Sequence, residues 1–191
     1  MKRVFVAIAG IALVGCRAAG TPVASTPPAP PIRLAQCDGP ALRLPDSLAR
    51  QLPRRGGRMI PDDRWADLAA TIPGGFAGVL YDSAHNPILM LVDPAQATAA
   101  KQALDGKISF PLQQATVRGA RWDFGQLVDW FNYLHPRLGV PVTADKDEAL
   151  NRIRFGVTSV ELRERLIRAL AQLPLPCDLV VVDLNGMTVR F

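Results

Sequence analysis

The residues able to do acid–base or nucleophilic chemistry are few and scattered. Two histidines, His85 and His135, are the only imidazoles, and so the only side chains that ordinarily titrate near neutral pH. His85 lies within Ser83-Ala84-His85-Asn86-Pro87, a run of turn formers, and His135 precedes Pro136 where a predicted helix ends. Both are common places for solvated imidazoles. The serines, at 25, 47, 83, 109 and 159, fall in a Pro-rich tract, in loops or at a helix cap, and none stands in G-x-S-x-G, so no nucleophile elbow is present. Carboxylates pair at Asp62 and Asp63 and group at Asp145, Asp147 and Glu148. The second group has part of the spacing of a calcium-binding loop but lacks its glycine and its distal bidentate glutamate, and it reads as a solvated turn. Gly56-Gly57 and Gly74-Gly75 are not followed by Lys-Ser/Thr or a glycine-spaced helix start, so neither reads as a phosphate cradle. The expectation is a protein with no catalytic residues, no metal and no cofactor. If a hydrolytic activity exists, Asp62, Asp63 and His85 are its candidates.

The cysteines say more. Met1 to Gly15 carries two basic residues, then an apolar run, then small residues. That is secretory-signal composition, too short and too abruptly ended for a stable span. Its close, Leu13-Val14-Gly15-Cys16, resembles the bacterial lipobox. The resemblance implies a thioether-linked diacylglycerol on Cys16, cleavage ahead of it, and acylation, as by palmitate, of the new amine. Each buried methylene contributes about 0.8 kcal/mol, so two or three chains hold where one would only visit. The alternative is an ordinary secretory signal cut after Ala18-Ala19-Gly20. Arg17 stands where lipoproteins retained at the inner membrane tend to carry Asp, which implies transfer to the outer membrane, facing the periplasm. With Cys16 spent on lipid, Cys37 and Cys177 remain as a pair in an oxidising compartment, and a disulfide between them is expected. It would close about 140 residues and contribute roughly 4 to 5 kcal/mol in the chain-entropy model.

Residues 1–15 thus read as the signal peptide and 16–36 as a lipidated cysteine with a Pro/Ala-rich tether. Residues 37–191 read as one α+β domain with sub-units at 74–120 and 140–191. The tether cannot bury a core and should be extended, partly as polyproline. The formal charge is +5; Lys2 and Arg3 leave with the signal, so the mature side chains carry +3. Arginines cluster at Arg50, Arg54, Arg55, Arg58 and Arg64, and at Arg152, Arg154, Arg163, Arg165 and Arg168. Solvated faces account for both clusters. Aromatic residues do not interleave them, so no nucleic-acid partner is expected.

The elements that would position these residues follow from punctuation and periodicity. From Cys37 to Met59, prolines and glycines leave room only for short elements. A short helix should begin near Asp62, with acids in its first turn. Phe76 to Asp82 and Ile88 to Val92 flank a turn as a β-hairpin, Asp93-Pro94 opens an alanine-rich helix to about Leu104, and a strand returns around Gln113 to Val117. Trp122 to Leu138 is an amphipathic helix with Trp122, Leu127, Trp130, Phe131, Leu134 and Leu138 on its apolar face. Val140 to Ala144 and Ile153 to Val157 are strands. Thr158-Ser159-Val160-Glu161 reads as a capping box opening a helix to about Leu173. Asp178 to Leu184 and Met187 to Phe191 flank Asn185-Gly186, the strongest short hairpin signal. The fold class is therefore α+β: two small hairpin-helix-strand units, a degenerate internal repeat, packed around a central amphipathic helix.

Phe76-Ala77-Gly78-Val79-Leu80-Tyr81-Asp82, followed by Ile88 to Asp93 and a helix, is similar to the pro-regions of secreted bacterial serine proteases of the α-lytic protease and streptogrisin type. Asn151-Arg152-Ile153-Arg154-Phe155-Gly156-Val157 opens a second unit of similar layout. The resemblance implies a non-enzymatic module that offers a sheet edge and helices to a protein, as a folding aid or inhibitor. The functional expectation is a lipid-anchored envelope lipoprotein whose non-catalytic domain binds a protein or an envelope polymer. An envelope hydrolase with an unrecognised site, a pro-region-like module and a small-ligand or lipid carrier are the alternatives.

Overall fold

Seven strands and five α-helices make up the described part of a computed structural model, which covers residues 32–33, 42–52 and 61–184. The signal-like segment, Cys16, the tether up to Pro31, Cys37, Arg54, Arg55, Arg58 and the Asn185-Gly186 turn with Met187 to Phe191 lie outside the described residues.

The fold is α+β. The first sheet begins with β2 (Phe76–Tyr81), antiparallel to β3 (Pro87–Leu91). Asp93 then accepts from the Ala95 N–H at 3.0 Å and opens a 3-10 turn, Pro94–Gln96. Helix α3 (Ala97–Leu104) leads to β4 (Thr116–Gly119), which lies parallel to β3. The second sheet repeats this connectivity. β5 (Thr143–Asp147) is antiparallel to β6 (Arg152–Gly156), α5 (Val160–Leu170) follows, and β7 (Val180–Asp183) returns parallel to β6. A two-residue strand, β1 (Ile32–Arg33), adds antiparallel to the free edge of β7, giving the order β1-β7-β6-β5 beside β2-β3-β4.

Two main cores result, and one helix contributes to both; Ala77, Ile88 and Met90 form a third, small cluster. Phe76, Leu89, Leu91, Ala100, Leu104 and Leu112 fill the first, while Ile153, Phe155, Leu166, Leu170, Val180 and Val182 fill the second. Helix α4 (Phe124–Leu134) gives Phe124 and Val128 to the first and Leu127, Trp130 and Leu134 to the second. At 3.6 residues per turn these two stripes lie about 100° apart around the helix. The helix starts two residues later than Trp122 because Asp123 caps it. The Asp123 carboxylate accepts from the Gln126 N–H at 2.8 Å and the Gln126 side-chain oxygen accepts from the Asp123 N–H at 2.9 Å, a reciprocal box. Pro136 ends it in a 3-10 turn, His135–Arg137.

Other boundaries move for equally local reasons. The last long helix is capped by Ser159, which accepts from the Leu162 N–H at 3.2 Å. Its third residue is then Leu162, which has no acceptor, so the expected box through Glu161 does not form. β5 begins three residues later than expected and carries the acidic run. Two further short helices, α1 (Asp46–Ala49) and α2 (Pro61–Ala69), complete the chain. Residues Leu48 and Ala49 of α1 pack on the second core, whereas Ala66 and Ala69 of α2 belong to the first. Among the described residues, no helix is long and apolar enough to cross a membrane.

Candidate functional site

The charged residues singled out from the sequence converge only in part, at the seam where the β5–β6 turn of the second sheet meets α2 and β2 of the first. β5 alternates faces, so Ala144 packs on the core and Lys146 shares that face. Lys146 is thereby buried, its side chain 9 % exposed, with the ammonium 2.9 Å from an Asp62 carboxylate oxygen and 4.0 Å from the Phe131 ring centroid. An ion pair on one side and an aromatic π-face on the other are what a buried ammonium needs. Asp62 itself, in the first turn of α2, remains 43 % exposed.

One turn of chain further on, Glu148 lies over Gly78. Gly78 follows the β-bulge of β2 and has φ +132, and a Cβ there would stand 3.2 Å from Glu148 Cγ. Glycine thus provides both the backbone conformation and the space. Asp62, Trp65, Gly78, Val79, Phe124 and Glu148 line a cleft of about 230 Å³. Partial burial holds the Glu148 carboxyl above its ordinary range, and the carboxylates of Asp145, Asp147 and Asp62 push the same way. Glu148 keeps an exposed flank, so solvent screens the effect.

The acidic run is only in part the solvated turn expected of it: Glu148 lies in the exposed β5–β6 turn, while Asp145 and Asp147 are strand residues. Asp145 and Asp147 lie on β5, opposite Arg154 and Arg152 on β6, and Asp147 pairs with Arg154 at 3.1 Å. Arg152 pairs with Asp178. Among the described residues, no group of three or more His, Cys, Asp or Glu is arranged to hold a metal ion.

Asn151 closes the seam. It is buried, has φ +53, and its side-chain oxygen accepts from the backbone N–H groups of both Arg121 and Trp122 at 2.7 Å. Its amide nitrogen donates to the Trp122 carbonyl at 2.8 Å. One side chain so satisfies three backbone groups of the strand-to-helix link ahead of α4, a clamp between the two units.

The remaining candidates are elsewhere. His85 sits in the β2–β3 turn with φ +62 and is exposed, about 10 Å or more along the strand from Gly78 at the strand rise per residue. Asp82 organises that turn. Hydrogen bonds from the Asn86 side chain and backbone, with a weaker one from the Ala84 N–H, lower its carboxyl below the usual range. His135 stacks on Phe131 with ring centroids 5.3 Å apart and on Phe155 at 6.5 Å. Cys177 is half-buried in the turn before β7; its expected partner Cys37 lies outside the described residues, as does Cys16.

Comparison of the chain with protein-family models, with curated proteins and with solved structures finds no match. The arrangement holds a charge pair between Lys146 and Asp62 beside a Glu148 carboxyl shifted above its ordinary range, and it joins two sheets.

Proposed function

We propose that the chain is an exported lipoprotein, anchored through Cys16, whose α+β domain binds another envelope protein or polymer without turning it over. The observation that carries this reading is Leu13-Val14-Gly15-Cys16 at the end of the apolar run, with a Pro- and Ala-rich tract behind it. That tract leads to β1, which joins the sheet edge at β7. Roughly sixteen residues at about 3.1 Å each let the domain stand up to about 50 Å from the lipid surface. The non-catalytic half of the reading is supported by how the candidate acids and bases are engaged. Asp62 neutralises Lys146, Asp147 pairs with Arg154, and His135 stacks against Phe131.

A disulfide between Cys37 and Cys177 belongs to the same proposal. β1 runs antiparallel to β7 with Arg33 opposite Val181. Cys37 lies four residues after Arg33 and Cys177 four residues before Val181, so the chain direction carries the two toward each other. Cell fractionation tests the anchor. The wild-type protein is expected in the outer-membrane fraction and the Cys16→Ala variant in the soluble periplasmic fraction; equal solubility of both would refute lipid anchoring.

One observation favours an envelope hydrolase instead. Glu148, whose carboxyl is held above its ordinary range, shares a cleft with the carboxylate of Asp62, a pair of acids in one cleft of the kind that acid–base chemistry uses. Turnover of peptidoglycan fragments that is lost in both Glu148→Gln and Asp62→Asn would establish that reading.

A further inference from the structure

We propose that the cleft at the seam binds the ammonium group of a lysine side chain presented by a partner protein, with Glu148 as its counter-charge. The inference rests on the binding reading above and names what is bound. Asp62, Trp65, Gly78, Val79, Phe124 and Glu148 line the cleft, an apolar and aromatic wall with a carboxylate at two points. Its volume of about 230 Å³ lies below the ~300–1,000 Å³ of sites for whole drug-sized molecules and suits one side chain. At about 30 Å³ for each water-sized group it has room for the methylenes and ammonium of a lysine. Gly78 keeps that space open. It follows the bulge of β2 with φ +132, and a Cβ there would lie 3.2 Å from Glu148 Cγ.

The seam already holds one ammonium by the same means. Lys146 has an Asp62 carboxylate oxygen 2.9 Å away and the Phe131 ring centroid 4.0 Å away, the combination that stabilises a desolvated cation. Glu148, with Trp65 and Phe124 in the same wall, offers a carboxylate and aromatic rings to a second ammonium from outside. Trp65 stacks on Phe76 with centroids 5.4 Å apart and stays half-buried, so part of it remains open to the cleft. Asp62 is paired with Lys146 and Asp147 with Arg154, while among the described residues no cation pairs with Glu148. The carboxylates of Asp145, Asp147 and Asp62 all disfavour charge on Glu148, and the field that does so draws a cation in.

Other cations fit this wall less well. A planar guanidinium is best served by a bidentate carboxylate, whereas a compact ammonium on a flexible stem enters a narrow cleft end-on. An amino sugar would bring hydroxyls for which Trp65, Val79 and Phe124 provide no side-chain partner.

Titration of the purified protein with Nα-acetyl-lysine methylamide, followed by tryptophan fluorescence, tests the proposal. Trp122 and Trp130 are 0 % and 2 % exposed, so Trp65 is the reporter. The controls are Nα-acetyl-norleucine methylamide, which lacks the amine, and glucosamine. A saturable change with the lysine probe alone is expected, and Glu148→Gln should raise its dissociation constant at least tenfold. Glu148→Lys, which puts an ammonium of the protein's own at the cleft, should abolish the change. A cooperative urea transition shows that each variant is folded. An equal response to the norleucine probe, an unchanged constant in Glu148→Gln, or no saturation with any probe would overturn the proposal. A stronger response to glucosamine would overturn the choice of a lysine. Mass analysis of the recovered probe separates the two readings: a chemically altered probe would contradict binding without turnover, whereas an intact probe that fails to bind contradicts this inference alone.

Discussion

Replacing Asn151 isolates the clamp that joins the two units. Asn151→Ala removes the acceptor of two backbone N–H groups and the donor to one carbonyl, all at Arg121 and Trp122. Trp122 is fully buried, so water cannot readily replace the lost partners. An orphaned buried polar group costs about 1–3 kcal/mol. The Arg121 N–H is only part-buried and should recover some hydration, which places the hydrogen-bond loss near 2–4 kcal/mol. Alanine must also hold φ +53, at roughly 1 kcal/mol more. The expected total is about 3–5 kcal/mol, a large share of a typical domain's stability and about 10 °C or more in Tm. Asn151→Gly separates the two terms, because it keeps the backbone conformation and loses only the hydrogen bonds. It should be less destabilised than Asn151→Ala by about 1 kcal/mol. Urea unfolding of the three proteins, with the m-value compared, measures both. A cost below about 1 kcal/mol for both variants would refute the clamp, and equal costs for glycine and alanine would refute the backbone argument.

The Lys146–Asp62 pair should respond asymmetrically. Asp62→Asn leaves a buried ammonium uncompensated and is expected to cost about 1–3 kcal/mol, while Lys146→Met fills the same space and leaves Asp62 to solvent, costing less than about 1 kcal/mol; the reverse order in urea unfolding would contradict the burial assignment. Glu148 has a folded-state pKa above its unfolded value. Its stability contribution is therefore full below the unfolded pKa and is lost as pH rises through the folded pKa. Glu148→Gln should be more stable than wild type at pH 7 and no more stable at acid pH, and a pH-independent difference would refute this. For the cysteines, a faster band in non-reducing electrophoresis that Cys37→Ser abolishes is expected, and two free thiols in the mature domain would refute the pairing.

Much of the scaffold was legible in the sequence because its signals are local. Asp93-Pro94 marks a helix start whose cap forms, the last long helix starts one residue beyond the expected box, with Ser159 as its cap, and the run Phe76 to Val92 carries a hairpin with its turn residues in place. The seam was not legible, because its residues take their roles from partners far along the chain. Lys146 looks like one charge among four until β5 pairing puts it on the core face beside Phe131. Asn151 looks like a loop residue, although an asparagine just before a strand is a signal for a left-handed turn position. Glu148 and Gly78 are ordinary separately and meet only because a bulge in β2 turns toward the second sheet. Asp62 and His85, which the sequence offered as a catalytic set, are held apart: Asp62 sits on α2 beside Gly78 and Val79, and His85 in the turn beyond the end of β2.

Intact-mass analysis of the membrane fraction, wild type against Cys16→Ala, tests the lipoprotein account most directly. A chain beginning at Cys16 and carrying diacylglycerol plus an acyl chain, with the modification absent from the variant, is the predicted result. An unmodified chain beginning near Thr21 would contradict it.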